Sequence, residues 1–146
     1  MLFRSKTIAK IRAFNRFYMP SMNLLGDHYL GSEYSVTEAR VFFEIYENEG
    51  CNAAHIAQLM NIDKSYLSRI IKKHEKSGYI HRERSAEDSR SYHLFLTDDG
   101  KDCAEDLIRK SNEEIAKVIR GLSSEEEQQL TGALETITRL LRKGSE

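Results

Sequence analysis

No run of about 18 apolar residues occurs in this chain of 146 residues, so no segment is expected to cross a membrane as a helix. The opening Met1-Leu-Phe-Arg-Ser-Lys6 also lacks the apolar centre that a signal peptide needs. The expectation is a cytoplasmic protein with no membrane partner. Cysteine is scarce: Cys51 and Cys103 are too few for a disulfide framework and read as two ordinary thiols. Neither Cys-x-x-Cys nor His-Glu-x-x-His is present, and the five histidines, His28, His55, His74, His81 and His93, are scattered without ligand spacing. No metal and no cofactor is therefore expected. A nucleophile paired with a base and a glycine-rich phosphate loop are missing too, which argues against an enzyme. Proline appears once, at Pro20, and no long loop-like tract interrupts the rest. What remains is a chain of mostly regular structure, 40% hydrophobic, with the length of one domain around a sizeable core.

Net charge is nearly absent as well, at −1, but its distribution is uneven. Residues 1–62 hold 6 basic and 6 acidic side chains, residues 63–96 hold 8 and 5, and residues 97–146 hold 8 and 12. A near-neutral protein binds DNA when its basic groups share one surface, because phosphate neutralisation is local. The basic middle permits that function without deciding it.

From about Ser5 to Leu25, Ile8, Ile11, Tyr18, Met22 and Leu25 recur at helical spacing, with Phe14 and Phe17 widening the stripe. Pro20 predicts a kink or an early end there. Gly26 to Glu33 reads as a loop. Ser35-Val-Thr-Glu38 has capping-box spacing and predicts a second helix, with Val36, Ala39, Phe43 and Tyr46, flanked by Phe42 and Ile45, as its buried face until Asn48 and Gly50 stop it.

Asn52 caps a third, short helix in which Ile56, Ala57 and Met60 face the core, and Asn61 tolerates the left-handed backbone of a tight turn. Asp63 caps the fourth, whose buried stripe is Leu67, Ile70, Ile71 and His74. Its other face carries Lys64, Ser65, Ser68, Arg69, Lys72, Lys73 and Lys76, flanked by Tyr66. A lysine-rich helix face is commonly just solvated. The layout favours DNA: a short helix, a tight turn, then a helix with small and basic residues in the N-terminal half that meets base edges.

Gly78 ends that helix, and Tyr79–Arg84 and Ser91–Leu96 read as two strands around a polar turn. Tyr92, Leu94 and Leu96 alternate with Ser91, His93 and Phe95, so one face covers the helices. Arg82, Arg84 and Arg90 fall on or near the exposed hairpin, where a guanidinium can enter a narrow minor groove. Glu83, Glu87 and Asp88 dilute that field. Thr97 caps a long helix running to about Arg120, with Asp98 and Asp99 in its first turn. Ser123 and Glu126 form another capping box, after which Leu130, Leu134, Ile137 and Leu141 make a coiled-coil-like seam. The seam's partner lies within the chain or in a second copy. A homodimer buries this seam and the apolar surplus of the first helix together, and a two-fold dimer is what a palindromic site requires.

The stretch Asp63-Lys-Ser-Tyr-Leu-Ser-Arg-Ile-Ile71, then Glu75-Lys-Ser-Gly-Tyr-Ile80, then Asp88-Ser-Arg90 with Leu96-Thr97 closing the hairpin, resembles the MarR family of winged-helix transcriptional regulators. The likeness runs over nearly the whole chain, and the Asp-x-Arg signature followed by Leu-Thr is its most specific part. It implies a mainly α fold with a small β-hairpin wing: a winged helix-turn-helix over 35–97, flanked by dimerisation helices over 1–30 and 98–146, in a single domain. By position, Ser65, Tyr66, Ser68, Arg69 and Lys72 would grip or read the major groove of double-stranded DNA, with Lys64, Lys73 and Arg84 as cations of the same surface. Arg90 would reach the minor groove and Asp88 would brace the wing. Phe14–Leu25 and Ser35–Asn48 are also similar to the MarR-type halves of acetyltransferase fusions; with the sequence ending at Glu146, no catalytic half is expected.

Many members of the family release DNA when a small aromatic or phenolic effector binds between the dimer helices and the winged lobe. Tyr18, Met22, Phe43 and Tyr46 are the residues to line such a pocket here, or are simply core. Other members sense peroxide through a cysteine in the first helix, and this chain has none there. The resulting expectation is a homodimeric, sequence-specific DNA-binding repressor with a small-molecule effector. The competing one is a winged-helix module that binds and regulates a partner enzyme, which would expose an apolar patch where this chain carries Lys, Arg and Ser.

Overall fold

The computed structural model describes residues 2–88 and 90–145. Its elements are α1 (Leu2–Ser21), a 3-10 turn (Tyr29–Gly31), α2 (Val36–Glu47), α3 (Ala53–Met60), α4 (Lys64–Lys76), β1 (Ile80–Arg84), β2 (Tyr92–Leu96), α5 (Asp98–Ile119) and α6 (Ser124–Ser145). The chain groups into two compact units, Met1–Asn112 and Glu113–Glu146. No described helix is long and apolar enough to cross a membrane.

Local capping sets the helix starts. Ser35 Oγ accepts the Glu38 N–H at 3.1 Å while the Glu38 carboxylate accepts the Ser35 N–H at 3.2 Å. Asn52 accepts from the His55 amide, and Ser123 and Glu126 close the same reciprocal box at the start of α6. Asn61 adopts φ 52°, ψ 49°, the left-handed turn between α3 and α4. Gly78, at φ +86°, turns the chain from α4 into β1. β1 and β2 pair antiparallel with Ile80 opposite Leu96 and Arg84 opposite Tyr92. The other edge of β2 is closed as well. The Gly50 N–H donates to the Leu94 carbonyl and the Leu94 N–H to the Cys51 carbonyl, each at 2.8 Å.

The core of the first unit is Val41, Phe42 and Ile45 of α2, Ile56 of α3, Leu67 of α4 and Leu94 of β2, with Ala104 and Leu107 of α5 packed in. This corrects the buried face of α2. The sequence pattern puts Phe43 inward, whereas Phe43 is 39% exposed and Phe42 and Ile45 are at the centre. Nearly every side of α2 carries an apolar residue, so periodicity could not fix its rotation. The first helix ends at Ser21, one residue past Pro20, the early end that the proline predicts, and its Ile8, Ile11, Phe14 and Phe17 stand exposed. Leu130, Leu134, Ile137 and Leu141 of α6 are likewise uncovered.

Thr97 joins the winged lobe to α5. Its N–H donates to the Tyr79 carbonyl at 3.0 Å, and its hydroxyl donates to the Gly78 carbonyl at 2.6 Å and accepts the Gly100 N–H at 3.1 Å. Gly100 is buried here against Tyr79, and a Cβ on it would lie 2.0 Å from the Tyr79 carbonyl oxygen.

Candidate nucleic-acid interface

α4 separates its residues into two faces, as 3.6 residues per turn requires. Leu67, Ile70, Ile71 and His74 are buried, while Lys64, Ser65, Tyr66, Arg69, Lys72 and Lys73 are exposed and Ser68 is half-buried. The Asp63 carboxylate accepts the Tyr66 N–H at 3.2 Å, so the helix begins with its small and basic residues facing solvent. The Arg69 guanidinium stands 5.9 Å from the Tyr66 ring centroid, a cation–π contact that restrains both side chains. Hydroxyls, a phenol, a guanidinium and ammonium groups on one convex face suit phosphates and base edges.

Behind that face, one carboxylate ties α2 to α4. Glu38 accepts the Lys73 ammonium at 3.1 Å and the His74 imidazole Nε2 at 2.5 Å, both through Oε2, while Oε1 holds the Ser35 amide. Burial raises the Glu38 carboxyl, but the Ser35 amide, His74 and Lys73 outweigh it and hold the pKa at about 2. His74 is ringed by Tyr34, Phe42 and Tyr79, and among the described residues its Nδ1 has no partner.

The wing is braced at root and tip. Arg82 does not extend from the hairpin as the sequence suggests. It clamps Glu75 of α4 through two bonds, at 2.8 and 3.0 Å, and stacks over Tyr92 at 4.7 Å. Glu75 lies seven residues back along the chain, on the preceding helix, and comes beside Arg82 only through the fold. Arg84 is exposed and donates to the Tyr92 hydroxyl at 3.1 Å, a bond that lowers the pKa of that phenol. At the turn, Asp88 Oδ1 accepts the Arg90 N–H at 3.0 Å and Ser85 Oγ accepts the amides of Glu87 and Asp88. Arg90 is exposed at this tip. Ser89, the middle residue of the Asp-x-Arg motif, lies outside the described residues.

A groove of about 560 Å³ lies elsewhere in the first unit, lined by Leu24, Tyr29, Arg40, Phe43, Met60 and Ile108 among others. Of the four residues proposed from the sequence to line an effector pocket, Phe43 does so. Tyr18 stacks on Phe14, Tyr46 bonds Glu105 at 3.3 Å, and Met22 follows the end of α1; none of these three lines the groove. The members missed are Leu24, which the sequence puts at the end of the first helix, Tyr29, in the segment read as loop, and Arg40, at a polar position, and they carry no local signal.

Burial pushes both the Cys51 and the Cys103 thiols up, so at neutral pH they stay protonated and poorly nucleophilic. Iodoacetamide is expected to label the folded protein several-fold more slowly than a free cysteine at the same pH. Labelling at the free rate would mean that at least one thiol is exposed as thiolate.

A family model described as the MarR family matches residues 34–92, which span α2, the helix-turn-helix and most of the hairpin. The chain is 30% identical over 76 residues to the HTH-type transcriptional regulator BilQ of Clostridioides difficile, covering 51% of each chain. It is 31% identical over 102 residues to the organic hydroperoxide resistance transcriptional regulator of Bacillus subtilis, covering 68% of this chain and 66% of that one. The matches thus span about half to two thirds of these relatives' own length. In fold, the chain is similar to FabT of Streptococcus pneumoniae, whose crystal structure is a complex with DNA, at a TM-score of 0.71 and 22% identity over 98% of this chain and 99% of that one.

Proposed function

The chain belongs to the MarR family, and on that premise we propose that it is a homodimeric, sequence-specific DNA-binding transcriptional regulator acting as a repressor. The observation that carries this reading is the exposed face of α4 beside a braced wing: Ser65, Tyr66, Ser68, Arg69 and Lys72 for the major groove, Arg90 for the minor groove. Asp88 serves as the brace through its bond to the Arg90 amide. The relative FabT, crystallised with DNA, supports the same use of the fold.

Dimerisation is supported by what a single chain leaves uncovered. Ile8, Ile11, Phe14 and Phe17 on α1 and Leu130, Leu134, Ile137 and Leu141 on α6 form exposed apolar rows on the helices flanking the winged lobe. α1 also carries Arg4, Lys6, Lys10, Arg12 and Arg16 with no carboxylate, while α6 has Glu125, Glu126 and Glu127 in its first turn and Arg142 and Lys143 in its last. Within a single domain over 1–146, the winged lobe 35–97 would lie between two dimerisation segments, 1–30 and 98–146. The groove beside Phe43 and Arg40 has the size for a small aromatic or phenolic effector, which would release the DNA.

Selection of genomic DNA fragments with the purified protein, followed by gel shift on the fragments retained, tests this reading. An enriched palindrome is expected, with affinity falling linearly in log salt at about −0.9 per phosphate neutralised. Recovery of no palindrome would move the assignment to a winged-helix module regulating a partner enzyme. On the enriched site, Arg69→Ala and Arg90→Ala are each expected to cost about 1–3 kcal/mol of binding. Wild-type affinity in both variants would remove those two residues from the interface.

A further inference from the structure

Lys73 lies on the exposed face of α4, yet its ammonium is already engaged by Glu38 at 3.1 Å. The same carboxylate oxygen takes His74, and its twin is held by the Ser35 amide at the start of α2. Lys73 and His74 are consecutive, so they leave the α4 axis about 100° apart. One belongs to the exposed face and the other to the buried stripe. Both converge on a single oxygen, and any rotation of α4 about its axis would break at least one of the two bonds. Glu38 is only 9% exposed, which limits how far solvent and salt screen its bond to the buried His74, while the Lys73 side chain stays 63% exposed and its bond is the more screened of the two. A lysine paired in this way brings little net charge to a phosphate.

We infer that Glu38 is a positioning residue for the DNA-reading helix and that Lys73 is committed to it inside the protein, leaving Lys72 to meet the phosphates. This revises the sequence-based set, in which Lys73 counts as a DNA contact, and it rests on the DNA-binding reading above. Removing the Glu38 charge should have two effects that ordinary destabilisation does not produce together. It frees a cation on the DNA face, and it loosens the rotational setting of the residues that discriminate bases.

The test is fluorescence anisotropy of full-length protein on a labelled duplex carrying the selected site and on a scrambled duplex, across a salt series. Lys72→Gln is expected to reduce the steepness of the log Kd against log salt line by about 0.9, and Lys73→Gln to leave it unchanged. Glu38→Gln is expected to steepen it by about 0.9 and to lower discrimination against the scrambled duplex by about tenfold. A loss of slope in Lys73→Gln equal to that in Lys72→Gln overturns the inference, as does a folded Glu38→Gln with the wild-type slope. Should Glu38→Gln fail to fold by circular dichroism, the comparison of the two lysine variants decides alone. If wild-type protein shows no salt-dependent binding to any selected duplex, the regulator reading falls and this inference with it; wild-type binding with the wrong variant slopes removes this inference only.

Discussion

Glu38→Ala is expected to lower the free energy of unfolding by about 3–5 kcal/mol, the range for breaking a buried charge network on one side. Alanine removes the reciprocal half of the α2 capping box and leaves His74 buried with neither ring nitrogen paired to the protein. Lys73, being exposed, recovers water and contributes little to the loss. The pH dependence separates charge from shape. The Glu38 carboxyl sits at about 2 in the folded chain against an ordinary 4.5, despite the upward push of burial, because the Ser35 amide, His74 and Lys73 favour the ionised form. A folded pKa below the unfolded one means that the stabilisation is complete above pH 4.5 and lost as pH falls from there toward 2. It is worth roughly 3 kcal/mol over that window. Urea unfolding of wild type and Glu38→Gln should therefore show a gap that is widest near neutrality and narrows in acid. A gap of constant size down to about pH 3 would mean that the carboxylate charge is not what stabilises the joint.

Gly100→Ala should also be severe, and in the direction opposite to the one helix propensity gives. In an open helix interior, alanine is better than glycine by about 1 kcal/mol. At position 100 the added Cβ would sit 2.0 Å from the Tyr79 carbonyl oxygen, 3.0 Å from its carbon and 3.3 Å from the Leu96 Cβ. That carbonyl is backbone and already accepts the Thr97 N–H, so it cannot give way without opening the joint between the wing and α5. The expected loss is about 3 kcal/mol, or roughly 6–12 °C in Tm. Gly132→Ala is the matched control: it too lies inside a long helix, with nothing within 4 Å of the new Cβ, and should be neutral or stabilising. A thermal melt of both variants settles the point, and a wild-type Tm for Gly100→Ala would contradict the close approach.

The two glycines show where legibility in the sequence stops. Features whose cause lies within four residues were readable: the boxes at Ser35/Glu38 and Ser123/Glu126, the caps at Asn52, Asp63 and Thr97, the left-handed Asn61, and the Leu67, Ile70, Ile71, His74 stripe. The Asp88 brace came only from the family resemblance, although its bond acts two residues along the chain. Features made by distant segments were not readable. Which side of α2 is buried depends on packing against Ile56, Leu67 and Leu94 from distant segments, and the role of Arg82 depends on Glu75 coming back alongside it. The pairing of Gly50 and Cys51 with Leu94 joins segments more than 40 residues apart, one of them with no strand-like pattern. The apolar rows of α1 and α6 were readable as surplus, but not whether the same chain or a second one covers them, because an apolar stripe has the same spacing in both cases.

That pairing on the far side of Leu94 also bears on how the protein tolerates being crowded. A two-stranded hairpin ordinarily presents two open edges, each a template on which another chain can add a strand. Here the Leu94 N–H and carbonyl are both taken, and His93 Nδ1 bonds the Gly50 carbonyl at 2.8 Å, so the β2 edge is sealed in its middle. The edge left open belongs to β1, whose His81, Arg82, Glu83 and Arg84 make a run of charge and imidazole that resists strand addition. The wing can thus project from the protein without offering neighbouring molecules a surface on which sheet could grow.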